Sequence, residues 1–132
     1  MILDWKTNKD PLKFTPGYYK KEWNADRTKK VKTGQWVPKN DRLLHPLSNV
    51  PYCKGMIYTL QLSMYAFMCE LWGYEVAGIV LCHIRPELDE NKEPRYEIVD
   101  GQKQRVEMPP EFYKIDYLRE EVYTLLEYHK NR

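Results

Sequence analysis

Two pairs of polar residues in this chain have types and spacings that could do chemistry together. The first is Asp4 and Lys6 in ILDWKTNK, residues 2–9. Strand alternation places Ile2, Asp4 and Lys6 on one side and Leu3 and Trp5 on the other, so acid and base stand side by side on one face. Ion pairs on strands are common, and this one defines no chemistry by itself. The second pair is Gln61 and Tyr65 in YTLQLSMYAF. Four residues apart on a helix, they share a face. Both interrupt an otherwise apolar run, and a buried polar group left unpaired costs about 1–3 kcal/mol. They therefore either sit at a rim and meet water or turn toward the strand end that carries Asp4 and Lys6.

A third feature is charge. Residues 1–54 hold twelve Lys/Arg against five Asp/Glu, while residues 55–132 hold nine against fourteen, which sums to the net charge of +2. The basic half carries Tyr18, Tyr19, Trp23 and Trp36 among its lysines. Cations neutralise phosphates and rings stack on bases, so this half suits a polyanion, with Lys9, Lys13, Lys20, Lys21, Lys29, Lys30 and Lys32 as candidate nucleic-acid contacts. The plain alternative is a solvated loop.

The elements that must position these residues follow from periodicity. With 132 residues the chain reads as one domain, in which 1–54 form a strand and a basic loop and 55–132 form helices and strands. Residues 2–7 read as a short strand. Residues 8–54 contain Pro11, Pro16, Pro38, Pro46 and Pro51 and the turn signals TPGYY and KTGQW, so they read as a long loop with one hairpin. Residues 55–72 give the strongest helix signal: Ile57, Leu60, Met64, Phe67, Met68 and Leu71 recur at helical spacing, and Gly73 is a natural stop. VAGIVLCHI, residues 76–84, reads as a central strand covered on both faces. YEIVD reads as an edge strand ending at Gly101, FYKI as a short strand, and 116–130 as an amphipathic helix with Asp116 as its N-cap. Apolar runs of 18 or more residues and a basic segment leading into an apolar one are both absent, which predicts neither a membrane span nor a secretion signal. Cys53, Cys69 and Cys82 are odd in number and lie in no CxxC pair, which predicts a reducing, cytoplasmic setting. His45, His83 and His129 are scattered and do not suggest a histidine metal site.

LDWKT (Leu3–Thr7), LQLSMY (Leu60–Tyr65) and VAGIVLCHI, in this order, resemble the PD-(D/E)XK nucleases, most closely their RecB-type exonuclease branch with its many phage members. The resemblance covers residues 1 to about 85 well and the remainder more loosely. It implies an α/β fold that is the second half of a restriction-endonuclease-like core, and a cytoplasmic location in a bacterial or phage-infected cell. It also implies metal-dependent hydrolysis of DNA. That reaction needs a water made nucleophilic near neutral pH and a counter-charge for the extra negative oxygen, and Mg²⁺ or Mn²⁺ supplies both. By the resemblance Asp4 and the backbone carbonyl of Trp5 are metal ligands, and Lys6 orients the attacking water and stabilises charge. Gln61 and Tyr65 hold the DNA backbone or brace the site, and Thr7 bonds a neighbouring carboxylate. Lys6, at a strand end, is expected to be solvated with little packing to lose.

The chain departs from the family pattern at its start. A helix bearing Glu and a hairpin ending in Asp normally precede the Asp-x-Lys strand, and here only Met1, Ile2 and Leu3 do. The expectation is therefore a site completed by an upstream segment or a partner chain, with self-association as another way to cover the exposed strand. The competing expectations are a non-catalytic nucleic-acid-binding or assembly subunit that keeps part of the nuclease fold, and an unrelated α/β domain.

Overall fold

A computed structural model describes residues 1–8, 10–91 and 93–132. In chain order the elements are β1 (Ile2–Lys6), β2 (Gly17–Trp23), β3 (Lys30–Pro38), α1 (Lys54–Leu71), β4 (Ile79–His83), β5 (Tyr96–Val99), β6 (Gln102–Arg105), β7 (Glu111–Ile115) and α2 (Arg119–Lys130). The fold is mixed α/β, and no described helix is long and apolar enough to cross a membrane. The chain divides into two compact units, one of Met1–Leu12 and Thr59–Arg119 and the other of Lys13–Tyr58 and Glu120–Arg132.

The first unit is built on a three-stranded sheet of order β1-β4-β7, with β1 parallel and β7 antiparallel to β4. The apolar run Ile79–His83 takes the centre because it can be buried on both faces, and Ile79, Leu81, Cys82 and His83 are all but inaccessible. Among the described residues β1 lies at the sheet edge. Register sets the two faces. One carries Asp4, Leu81 and Tyr113 in one row and Lys6, His83 and Glu111 in the next. The other carries Trp5, Cys82 and Phe112, with Leu3 beside Val80. On this second face Leu3, Trp5 and Phe112 remain 47, 55 and 65% exposed.

The α1 helix follows the expected span but not the expected face. Its buried stripe is Gly55, Thr59, Leu62, Ser63 and Ala66, whereas Ile57, Met68 and Leu71, all expected inward, are exposed. Small residues bring a helix backbone closer to its neighbours than a row of Met and Phe allows, and a hydroxyl adds a tie. Ser63 donates to the Thr59 carbonyl at 2.7 Å and accepts from the Leu118 amide at 3.0 Å. Gly73, with φ of 91°, ends the helix as its position suggests, and Tyr74 N–H bonds back to the Cys69 carbonyl. Asp116 is not the N-cap of α2, which starts at Arg119; the Ser63 hydroxyl takes the Leu118 amide instead.

YEIVD does not end the pairing at Gly101. Asp100 and Gly101, with φ of 51° and 76°, form a tight turn into β6. The segment QKQR has no apolar residue, so periodicity could not show it as a strand. In the second unit the long loop contains one hairpin, β2 paired antiparallel with β3.

On β7, Glu111 accepts from the Tyr113 hydroxyl at 2.7 Å and pairs with Arg85 at 3.0 Å. The Tyr113 hydrogen bond, the largest effect, holds the Glu111 carboxyl below its ordinary value; burial opposes it, and the Arg85 charge and hydrogen bond add to the lowering. Burial and the Glu111 carboxylate push Tyr113 up to about 12. A lowered carboxyl stabilises the fold above the ordinary carboxylate range, and that contribution is lost as pH falls through the folded-state value. Glu111→Gln is therefore expected to be less stable than wild type near neutral pH and to approach it in stability as pH falls through the lowered folded-state value. Urea midpoints across that range check this, and a constant gap between the two proteins would contradict it.

Candidate active site

The first unit brings Asp4, Lys6, Gln61 and Tyr65 into one connected line. Lys6 Nζ stands 3.0 Å from Asp4 Oδ2 and donates to Gln61 Oε1 at 3.2 Å. Gln61 Nε2 in turn donates to the Tyr65 hydroxyl at 3.2 Å. The strand positions the first two because residues two apart share a face, and the helix positions the others because residues four apart do. Gln61 and Tyr65 lie on the exposed stripe of α1, so the line runs from a half-buried acid to a solvent-facing phenol.

Lys6 is not the solvated side chain expected at a strand end. It is 19% exposed, and Asp4 is 29% exposed. Asp4 Oδ2 itself is buried and has no hydrogen-bond partner among the described residues. Its charge is met by the Lys6 ammonium, 3.0 Å away as an ion pair.

The backbone adds an oxygen at the same place. The Ile2 amide donates to the Gly78 carbonyl and the Lys6 carbonyl accepts from the Ile84 amide, so the even residues of β1 turn their backbone groups toward β4. Alternation then turns the carbonyls of Leu3 and Trp5 toward the open edge. A buried carboxylate oxygen without hydrogen bonds and a free-edge carbonyl are donors of the kind a hard dication takes. Their number is small: among the described residues no group of three or more His, Cys, Asp or Glu could hold a metal. Mg²⁺ is commonly held by one or two carboxylates, substrate phosphates and water, so the donors here fit such an ion in kind and supply part of its shell.

Sequence reasoning passed over His83. It lies beside Lys6 in the register, is fully buried, and its Nε2 bonds the Asn8 carbonyl at 3.0 Å. A carbonyl can only accept, so Nε2 donates, and Nδ1 finds no hydrogen-bond partner among the described residues. The ring ties down the chain leaving β1 just after Lys6. A polar residue ending an apolar strand was the available signal, masked by the continuity of VAGIVLCHI.

The basic residues fall elsewhere. Lys20 and Lys21 are exposed on β2, Lys30 and Lys32 on β3, Lys29 in the connecting turn, and Lys13 is half-buried just before the hairpin. Lys9 lies outside the described residues.

Compared with protein-family models, curated proteins and solved structures, the chain matches none of them. The geometry of the site and the pattern of its residues are thus the basis for a functional reading.

Proposed function

We propose that this chain is the Asp-x-Lys half of a metal-dependent nuclease of the PD-(D/E)XK kind, acting on DNA and completed by a further segment or partner chain. The observation that carries the reading is the continuous line Asp4–Lys6–Gln61–Tyr65, joining the end of a strand to the face of a helix. Asp4 and the Trp5 carbonyl would hold Mg²⁺ or Mn²⁺, which when bound supplies an activated water and charge neutralisation. Lys6 offers a positive charge 3.0 Å from that carboxylate, placed to stabilise a phosphate gaining negative charge. Gln61 fixes the Lys6 ammonium in place. The Tyr65 hydroxyl, at the exposed end of the line, is available to a phosphate oxygen of the DNA strand.

Completion is part of the proposal because the resembled family has further Glu and Asp ligands, while the described residues show no group of three or more His, Cys, Asp or Glu that could hold a metal. A digestion assay with Mg²⁺, run on this chain with and without a segment bearing the complementary Glu and Asp, tests the activity. Cleavage only in the completed protein is the expected result, and no cleavage in either would overturn the reading. For the metal, Asp4→Asn should weaken Mg²⁺ binding to the completed protein by about tenfold or more, since a charged ligand becomes a neutral one. Calorimetry reads this directly, and unchanged affinity would remove Asp4 from the metal shell.

The scarcity of ligands among the described residues favours a second reading, a non-catalytic subunit that binds nucleic acid or assists assembly. It predicts nucleic-acid binding with no metal-dependent cleavage in any combination.

A further inference from the structure

We propose that one face of the β2–β3 ribbon is a stacking platform for single-stranded nucleic acid. The proposal takes its ligand class from the functional reading above and concerns residues of the second unit alone. Cross-strand register places Tyr19 opposite Trp36, Lys21 opposite Lys32, and Trp23 opposite Lys30. The register shifts between Tyr19 and Lys21, and across that irregularity Lys32 still reaches the Tyr19 ring, while alternation keeps Tyr19, Lys21 and Trp23 on one side of β2, so rings and cations succeed each other along the ribbon. Tyr19 and Trp36 meet edge to face with ring centroids 5.0 Å apart. Gly17 lets the Trp36 ring lie close, because a Cβ there would come 2.6 Å from it. Each aromatic has an ammonium over it: Lys13 lies 5.4 Å from the Trp36 ring centroid, Lys32 5.9 Å from Tyr19, and Lys30 5.4 Å from Trp23.

Charge and spacing select the ligand. Residues 17–38 hold six cations against two acids. Neither acid belongs to the three pairs: Glu22 pairs with Val31 on the opposite face, and Asp26 is engaged by the Thr28 hydroxyl and amide in the turn. An anion laid along this face thus meets lysines and rings. Along β2, Tyr19, Lys21 and Trp23 follow one another at two-residue steps of about 6.8 Å. That is about twice the roughly 3.4 Å per nucleotide of a stacked duplex strand. The platform therefore suits a strand pulled out of its stack, whose bases find rings instead of one another, with phosphates near the lysines. Trp23, 56% exposed at the end of β2, offers the most open ring surface of the three aromatics.

The test is fluorescence anisotropy of a labelled oligothymidylate of about 12 nucleotides, titrated with the full chain in a chelator of divalent cations. Single-strand binding that weakens steeply with salt and exceeds binding to a duplex of the same length is expected. Trp23→Ala should weaken it about tenfold and Trp23→Phe much less, because a ring survives. Lys30→Gln should lower the salt slope by about one. Equal or tighter duplex binding, no single-strand binding, or Trp23→Ala indistinguishable from wild type would each overturn the proposal. Because the chelator removes any metal-dependent step, loss of binding here counts against the platform only, and failure of digestion with binding intact counts against the nuclease reading only.

Discussion

Lys6→Met is expected to slow DNA cleavage by the completed protein by about 10²- to 10³-fold, the usual cost of removing one group that stabilises transition-state charge. The choice of methionine follows from the burial of Lys6, whose side chain is 19% exposed and packed along its stem. Lys6→Ala would strip the same charge and also leave a gap, so its loss of activity would mix chemistry with folding. Even Lys6→Met leaves Asp4 without its nearby ammonium, in a place where Oδ2 has no hydrogen bond among the described residues. A half-buried charge deprived of its partner should cost about 1–3 kcal/mol of stability. The double variant Asp4→Asn/Lys6→Met removes the stranded charge, so it should recover much of that stability while cleavage stays lost. Single-turnover rates and urea melts on the three proteins separate the two effects. Wild-type turnover by Lys6→Met would end the assignment of Lys6 to catalysis.

The chain purified alone is expected to associate with itself. Two surfaces of the first unit argue for it. The free edge of β1 carries backbone groups of Leu3 and Trp5 that turn away from β4, and such edges recruit further strands. The sheet face beside that edge leaves Leu3, Trp5 and Phe112 about half or more exposed. The occupant proposed for both is the segment that brings the missing carboxylates, because a strand added along β1 places its side chains next to Asp4. Without that segment, a second copy is the available cover. Light scattering should show a mass that rises with concentration, and Phe112→Lys should weaken association by about tenfold or more, given the 1.5–3 kcal/mol that burial of a Phe contributes. Phe112 is on β7, two strands from Asp4, so the substitution leaves the site's own residues in place. A monomer at every concentration would show that neither surface needs a cover.

Much of the local structure was legible in the residues. Alternation in ILDWK, the helical run after residue 54 with its Gly73 stop, and the β-branched Ile79–His83 each led to the right element, because each pattern expresses a period of the backbone itself. The pairing of Asp4 with Lys6, and of Gln61 with Tyr65, is likewise a matter of spacing along one strand and one helix. That the two pairs would meet was one of two readings the residues left open, and the 3.2 Å contact between Lys6 and Gln61 spans 55 residues that no local rule constrains.

Tertiary structure alone decided which surfaces are covered. The large apolar residues of α1 were expected inward, yet Gly55, Thr59, Leu62, Ser63 and Ala66 are the ones buried. A helix with apolar residues on several sides does not itself select a face; close approach and the Ser63 hydroxyl bond to Leu118 do. A strand's place in a sheet depends on its neighbours, and among the described residues β1 pairs with β4 alone, at the sheet edge. QKQR forms a strand because Asp100 and Gly101 turn the chain back onto YEIV, a contact supplied by the partner strand and not by QKQR's own pattern. His83 became part of the site's surroundings only when the register set it beside Lys6 and the fold placed the Asn8 carbonyl within reach of its ring. Periodicity along the chain therefore determined the elements and the two residue pairs, while burial and strand neighbours, which depend on residues far apart in sequence, decided the faces, the edge and the meeting of the pairs.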